Sequence, residues 1–250
     1  MTFEFIAKIA KVFVALICFS VVAACSAPEK TTSDNMDFVD ADPYESLNRQ
    51  IFAFNHVVDV ILLKPVAQGY DYAVPERGKV MVSNFVGNVK EPVTFVNSVL
   101  QADPQNSFAT FWRFLLNSSF GIGGLFDVAT ELGLENRETG LGDTFAVYGV
   151  DSGPYFVIPV IGPSTTRESF GRLGDVFVDP FSYTDNSIFY SIVGAKTVDT
   201  RYHKLQLLDD VYKNSLDPYA TLRSLYLQHR EAEVRKVKQK RKKSQDEAFK

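Results

Sequence analysis

The 250-residue chain is expected to be mainly α, in a single domain. Three observations carry that expectation. Apolar residues recur at helical spacing, as at Leu47, Ile51, Phe54, Val58 and Ile61. The pairs Asp42-Pro43, Asp103-Pro104 and Asp217-Pro218 each offer a capping oxygen followed by a residue whose φ suits the first helical turn. The stretch 144–162, the most strand-like in composition, is interrupted by Pro154 and Pro159, which argue against a central strand.

The elements follow in chain order. Residues 1–24 read as a signal peptide: Lys8 and Lys11, then a run from Val12 to Ala24 that is apolar apart from Ser20. That run is too short to span a bilayer, which needs roughly 20 apolar residues. It ends in Val22-Ala23-Ala24-Cys25, which resembles a bacterial lipobox. The two cysteines are then accounted for: Cys18 leaves with the signal and Cys25 becomes the lipidated N-terminus. No thiol remains for a disulfide or a metal, and no metal site is expected. Residues 25–41 are the lipidated cysteine and a polar tether. Ser26, rather than aspartate, follows the cysteine, which points to the outer membrane and its periplasmic face.

A helical domain is expected over 42–229. Its first helix is apolar over most of its circumference, so it is buried or lies in lipid, and Pro65 is expected to end it. Glu91-Pro92 is expected to open a short helix through Leu100, and Asp103-Pro104 another, rich in aromatics, with Arg113 its only formal charge. The glycines of 120–133 suit a tight turn and close packing, followed by a short helix. Residues 144–162 read as extended loop, 163–175 as the start of a short helix, and 188–215 as helical. Asp217-Pro218 opens the last helix, whose end, 230–250, is a basic tail read as a solvated, fraying helix. No spanning helix is expected after the signal.

Composition narrows the function. The net charge is −4, which gives no electrostatic case for nucleic acid. With 21 Phe and 11 Tyr, the chain has either a large aromatic core or a surface that meets something apolar. No G-x-S-x-G, Walker A or G-x-G-x-x-G pattern occurs, and His56, His203 and His229 are isolated in sequence, so an enzyme is not expected. A Ser–His–Asp set assembled from distant positions stays open.

Five stretches, "DPYESLNRQIFAFN", "NFVGNVKEPVTFVNSVLQAD", "FWRFLLNSSFGIGGLFDVA", "YGVDSGPYFVIPVIGPSTTRES" and "DPYATLRSLYLQHR", occur in the order of the MlaA (VacJ) family, which the chain resembles over about 40–230. Asn48, Arg49, Phe54 and Asn55 match its first motif. Asn84, Phe85, Asn88, Glu91, Pro92 and Asn97 match the second, and Asn117, Gly121, Gly124 and Asp127 the third. Gly149, Gly153, Pro154, Tyr155, Pro159, Gly162, Ser164 and Arg167 match the fourth. The chain departs from the family in the stretch 138–150 and at Glu168, where many members carry aspartate.

The resemblance implies a lipoprotein of the Gram-negative outer membrane: short amphipathic and interfacial helices forming a ring in the inner leaflet around an amphipathic channel. It implies removal of mislocalised phospholipid from the outer leaflet to maintain lipid asymmetry, without covalent chemistry. The implied partners are phospholipids, a trimeric porin and the periplasmic carrier MlaC. No cofactor is implied beyond bound phospholipid and the N-acyl diacylglyceryl group on Cys25. The alternative is a passive envelope scaffold that binds other outer-membrane proteins.

Physically, Phe108, Phe111, Trp112 and Leu115 form the face expected to meet lipid, with core as the competing reading. The motif asparagines either line a polar path for headgroups or tie turns and helices together.

Overall fold

The computed structural model describes residues 42–248. The signal peptide, Cys25 and the tether lie outside the described residues. Chain order is α1 (Glu45–Val58), a π-helical turn (Asp59–Leu63), α2 (Lys64–Ala73), α3 (Glu76–Leu100), α4 (Pro104–Ser119), α5 (Val128–Glu131) and α6 (Leu141–Val147). Then come β1 (Tyr155–Ile158), β2 (Gly162–Thr165), α7 (Thr166–Val178), a 3₁₀ turn (Pro180–Tyr183), α8 (Asn186–His203), α9 (Leu205–Asn214) and α10 (Pro218–Ala248). These residues make one mainly α unit.

The capping expectations hold at two of three starts. Asp103 accepts from the Asn106 N–H at the start of α4, and Asp217 from the Ala220 N–H at the start of α10. Asp42 instead closes a turn ahead of α1, accepting from the Tyr44 N–H and the Asn48 amide.

Two prolines do not break their helices, contrary to expectation. Before Pro65 the helix widens to a π turn in which the Lys64 N–H reaches back to the Asp59 carbonyl. The turn absorbs the register change there, so Glu45–Ala73 runs on as one helix of 29 residues. Its most apolar window has a mean hydropathy of 1.3 and is 6% buried, long and apolar enough to cross a membrane by length and composition. The expected end at Pro65 had hidden an element of this length. Pro92 sits inside α3, where it removes the one N–H that would bond the Asn88 carbonyl. Packing along α4 outweighs that loss, α3 with α4 being the most extensive helix contact described.

Two further expectations are corrected. Residues 144–147 are the end of α6, not extended loop: the Gly140 N–H donates to the Asp143 carboxylate and the Gly140 carbonyl accepts from the Thr144 N–H, starting a helix the β-branched composition disguises. The rest of that stretch does contain extended structure, an antiparallel hairpin pairing Tyr155 with Thr165 and Ile158 with Gly162. Nor is 230–248 a solvated tail. It continues α10 without a break and docks on the domain. Arg230 pairs with Asp143 at 2.8 Å and Glu168 at 2.6 Å, Arg241 donates to the Gln101 carbonyl at 2.5 Å, and Ser244 is buried, accepting from the Gln105 N–H.

The apolar core is small. Tyr155, Val157 and Tyr219 form it, with Ile51, Phe52, Tyr226 and Leu227 packed around them. Elsewhere the buried residues are mainly polar or charged, and they outnumber the buried hydrophobic ones.

Candidate functional site

That inversion is the feature to explain, because soluble proteins bury apolar side chains and leave few large apolar patches in water. The interior is built from amides and charges, many of them hydrogen-bonded to one another. Arg113, 3% exposed, reaches from α4 into the α3–α5 interface. Its Nε donates to Glu91 at 2.7 Å, one Nη to Thr130 and the Leu134 carbonyl, and the other Nη to both Asp127 oxygens. Burial pushes the Glu91 carboxyl up to about 7 despite Arg113. Burial acts on Asp127 in the same direction, yet hydrogen bonds from Thr130, Arg113 and Asn117 hold it below the ordinary carboxylate value.

The asparagines belong to this scaffold. The Asn48 amide spans α1 to β1, donating to the Tyr155 carbonyl and accepting from the Val157 N–H. Asn55 does the same at the hairpin tip, donating to Ile158 and accepting from Val160. Asn84 donates to the Leu125 carbonyl and Asn88 to the Ser118 hydroxyl, fastening α3 to the glycine turn. Gly124 at φ +94° lies so close that a Cβ would stand 2.6 Å from the Asn88 side chain, and a Cβ on Gly121 would stand 2.2 Å from the Phe126 carbonyl oxygen. Asn97 links α3 to Asp175 and Thr144. Asn117 donates to Asp127 and accepts from the Ala129 N–H. These amides tie elements together.

The remaining motif residues brace the hairpin. Arg49 pairs with Glu45 and Asp217 and stacks over Tyr219. Gly153 and Pro154 lead into β1, Tyr155 is core, and Arg167 donates to the Val150 carbonyl.

Several helix faces expose large apolar side chains. On the α1–α2 helix Leu47, Phe54, Val57, Val60, Ile61, Leu62 and Val66 are exposed. Phe108, Phe111, Trp112 and Leu115 are exposed together on α4, so they are not core. Phe170, Leu173, Val176 and Phe177 expose a third stripe on α7, and Val160 and Ile161 cap the hairpin tip. Some polar residues of the long helix turn inward: Asp59 pairs with Arg201 at 2.6 Å and Lys64 with Asp209 at 2.7 Å. With Asn48 and Asn55, these ties hold the helix to the domain at successive turns, so one side is packed on protein and the other is free to meet lipid. That geometry suits a helix lying along a leaflet. The exposed faces of α1–α2 and α7 were missed as site candidates, although the wide apolar circumference of α1 signalled the first.

Two of the cavities are polar and open. One, about 250 Å³, lies between the end of α3, residues 136–139 and α10; the other, about 380 Å³, is lined by α2 and α9. The first falls below the roughly 300–1,000 Å³ range of ligand pockets and the second at its low end, and the linings are charged and polar residues with Val237 and Leu205 the apolar members, which gives no apolar wall for two acyl chains.

Distant residues do bring a serine, an acid and a histidine together. The Ser83 hydroxyl donates to Asp199 at 2.6 Å and lies 3.0 Å from His203 Nε2, while Asp199 lies 3.5 Å from that same nitrogen. In a nucleophilic relay the acid orients the imidazole through its other nitrogen and the serine proton points at the ring. Here the acid takes the serine proton itself, so the order of a relay is lacking. Among the described residues no group of three or more His, Cys, Asp or Glu is placed to hold a metal.

Comparison with known proteins matches this arrangement. A family model described as MlaA lipoprotein matches residues 40–233. The intermembrane phospholipid transport system lipoprotein MlaA of Escherichia coli is 36% identical over 194 residues, covering 75% of this chain and 76% of that one. Its namesake in Haemophilus influenzae is 33% identical, covering 77% and 79%. An uncharacterised protein of Rickettsia bellii is 44% identical, covering 77% and 76%. A solved structure reported as the structural basis for maintenance of bacterial outer membrane lipid asymmetry superposes with a TM-score of 0.69 at 34% identity, over 78% of this chain and 99% of that one.

Proposed function

The chain belongs to the MlaA lipoprotein family, and on that premise we propose that it is an outer-membrane lipoprotein that transports phospholipid between membranes and so maintains lipid asymmetry. The observation that carries the proposal is the inverted distribution of polarity: a hydrogen-bonded polar interior inside a surface of exposed apolar helix faces. Such a body is at home in a leaflet. Each large side chain entering the acyl region contributes about 1.5–3 kcal/mol, while the interior charges stay paired and away from hydrocarbon.

In this reading Cys25 carries the N-acyl diacylglyceryl anchor on the periplasmic side. More than one acyl chain is needed for stable anchoring, because a single chain binds only marginally. The protein takes mislocalised phospholipid from the outer leaflet through an amphipathic path and hands it to the soluble carrier MlaC, beside a trimeric porin. No bond is made or broken. Lipid moves because its headgroup exchanges one polar environment for another while its tails stay in apolar surroundings.

The test is lipid extraction from purified, detergent-washed protein, with Cys25→Ala as a companion. Co-purified phospholipid, together with loss of acyl labelling and of outer-membrane fractionation in Cys25→Ala, is the expected result. Protein free of phospholipid favours the passive scaffold. Unchanged labelling and fractionation of Cys25→Ala removes the anchor.

A further inference from the structure

The far end of α10 is held to the domain by a row of contacts. Arg241 donates to the Gln101 carbonyl, Gln245 donates to the Ala102 carbonyl at 3.0 Å, and the Ser244 hydroxyl accepts from the Gln105 N–H at 3.1 Å. All three partners lie where α3 ends and α4 begins, so these contacts fix the rotation of α10 about its own axis.

With Gln245 pinned, the side of the helix it stands on can be followed back. Lys242, Lys238, Arg235 and Glu231 recur behind it at steps of three and four. Lys242, Lys238 and Arg235 are exposed, and Arg235 pairs with Glu231 at 2.6 Å. Lys238 and Lys242 have no acid within ion-pair distance among the described residues. From 234 to 245 the chain carries no acidic residue. Like charges one turn apart repel, and this helix holds Lys238 and Lys242 in that arrangement.

The corner to which this side is pinned is apolar and open. Val99 and Leu100 are exposed at the end of α3, and Tyr148, just past α6, is 62% exposed. The Tyr148 hydroxyl donates to the Leu100 carbonyl at 2.6 Å, and the Arg241 guanidinium lies 5.6 Å from the centre of the Tyr148 ring. Residues 100–102 therefore hold both the tyrosine and α10. Helix α4 starts at the same corner, and its exposed apolar face begins at Phe108, one turn beyond Gln105. The corner is thus continuous along the chain with a face already assigned to lipid.

A cationic stripe that only meets water has no use for exposed valine, leucine and tyrosine beside it. At a leaflet boundary both are used. Aliphatic side chains enter the acyl region, tyrosine sits at headgroup level, and long lysine stems reach past them to anionic oxygens. An acidic protein surface matches the charges and leaves the apolar corner without a role.

We propose that this corner is a docking surface for anionic phospholipid, with Arg235, Lys238 and Lys242 on the headgroups and Val99, Leu100 and Tyr148 at the acyl boundary. It rests on the membrane reading above and deepens it by naming the lipid class: headgroups of net negative charge, such as phosphatidylglycerol, over zwitterionic ones.

The experiment is flotation of the full chain carrying Cys25→Ala, so that no anchor masks the effect. The vesicles are phosphatidylcholine alone, or phosphatidylcholine and phosphatidylglycerol in equal parts. The background chain is compared with Lys238→Gln/Lys242→Gln, with Lys238→Arg/Lys242→Arg and with Val99→Ser, and melting in detergent reports folding. The background chain should prefer the anionic vesicles, and 1 M salt, where the screening length falls to about 3 Å, should erase the preference. The double glutamine variant should lose about twentyfold in affinity for anionic vesicles, near fivefold per lysine. Its binding to phosphatidylcholine and its melting should not change, and the arginine variant should bind like the background chain. Val99→Ser should weaken binding to both vesicles alike. If a double variant melts early, each single variant is held to half the loss on a logarithmic scale. An undiminished anionic preference in the glutamine variants removes the stripe from the site, and unchanged binding of Val99→Ser removes the apolar corner. Equal binding of the background chain to both vesicles overturns the lipid assignment, and an acidic protein surface then becomes the occupant those charges fit. A background chain that floats with neither vesicle overturns the membrane reading itself.

Discussion

The α3–α4 pair and the α1–α2 helix solve opposite problems with similar sequences. Both are rich in Val, Phe and Leu, and both carry charges inside apolar runs. In α3–α4 the charges go inward and are consumed: Glu91, Arg113 and Asp127 saturate one another while Phe108, Phe111 and Trp112 face out. In α1–α2 the inward charges are fewer, Asp59 and Lys64, and each finds one partner on α8 or α9. The first region is a clasp that holds the fold; the second is a surface held by a few ties. The difference separates residues that hold the structure from residues that meet the membrane, even though either set read alone looks like core.

The largest effect is expected from breaking the clasp. Arg113→Met leaves Glu91 and Asp127 without their shared cation, and losing one partner of a buried charge pair costs about 3–5 kcal/mol. Denaturant titration in detergent should show that loss, with phospholipid binding falling only in step with folding. A fully stable Arg113→Met would mean the clasp does not hold the fold.

A smaller effect, of a different kind, is expected on the long helix. Ile61 is 72% exposed, so Ile61→Ser should change folding stability in detergent by less than about 0.5 kcal/mol. Its partition into liposomes should weaken by up to about 1.5–3 kcal/mol, the value of one large side chain in apolar surroundings. Flotation of Cys25→Ala protein with and without Ile61→Ser isolates the helix from the anchor. Equal flotation would place Ile61 outside the bilayer.

The smallest effect is a pH slope. Burial raises the Glu91 carboxyl to about 7 from an ordinary 4.5, so between those values the folded state binds more protons than the unfolded one. Its contribution to stability therefore falls as pH rises through that window. Glu91→Gln, a neutral mimic of the protonated acid, should lack this slope, and its stability relative to wild type should rise between pH 5 and pH 7.5. A constant difference would show that Glu91 is ionised throughout.

Much of the fold was legible where local chemistry decides it. The Asp-Pro starts of α4 and α10 are read from capping, and the glycine turn from its need for positive φ. Pro65 and Pro92 misled because the proline rule is local, whereas a π turn or a well-packed partner helix is settled by neighbours in space. The asparagines were legible as a class, but whether an amide faces a lipid path or a backbone depends on strands a hundred residues away, as at Asn48 and Val157. Arg113 stood out as the lone charge of its helix, yet its acids lie on two other segments.

The central claim is that this inside-out body exists to keep phospholipid out of the outer leaflet. The direct test deletes the gene and measures surface-exposed phospholipid with an outer-leaflet acyltransferase reporter, with and without the intact gene on a plasmid. Surface phospholipid that rises on deletion and returns to the parental level with the plasmid is the predicted result. Asymmetry unchanged by deletion would contradict the account.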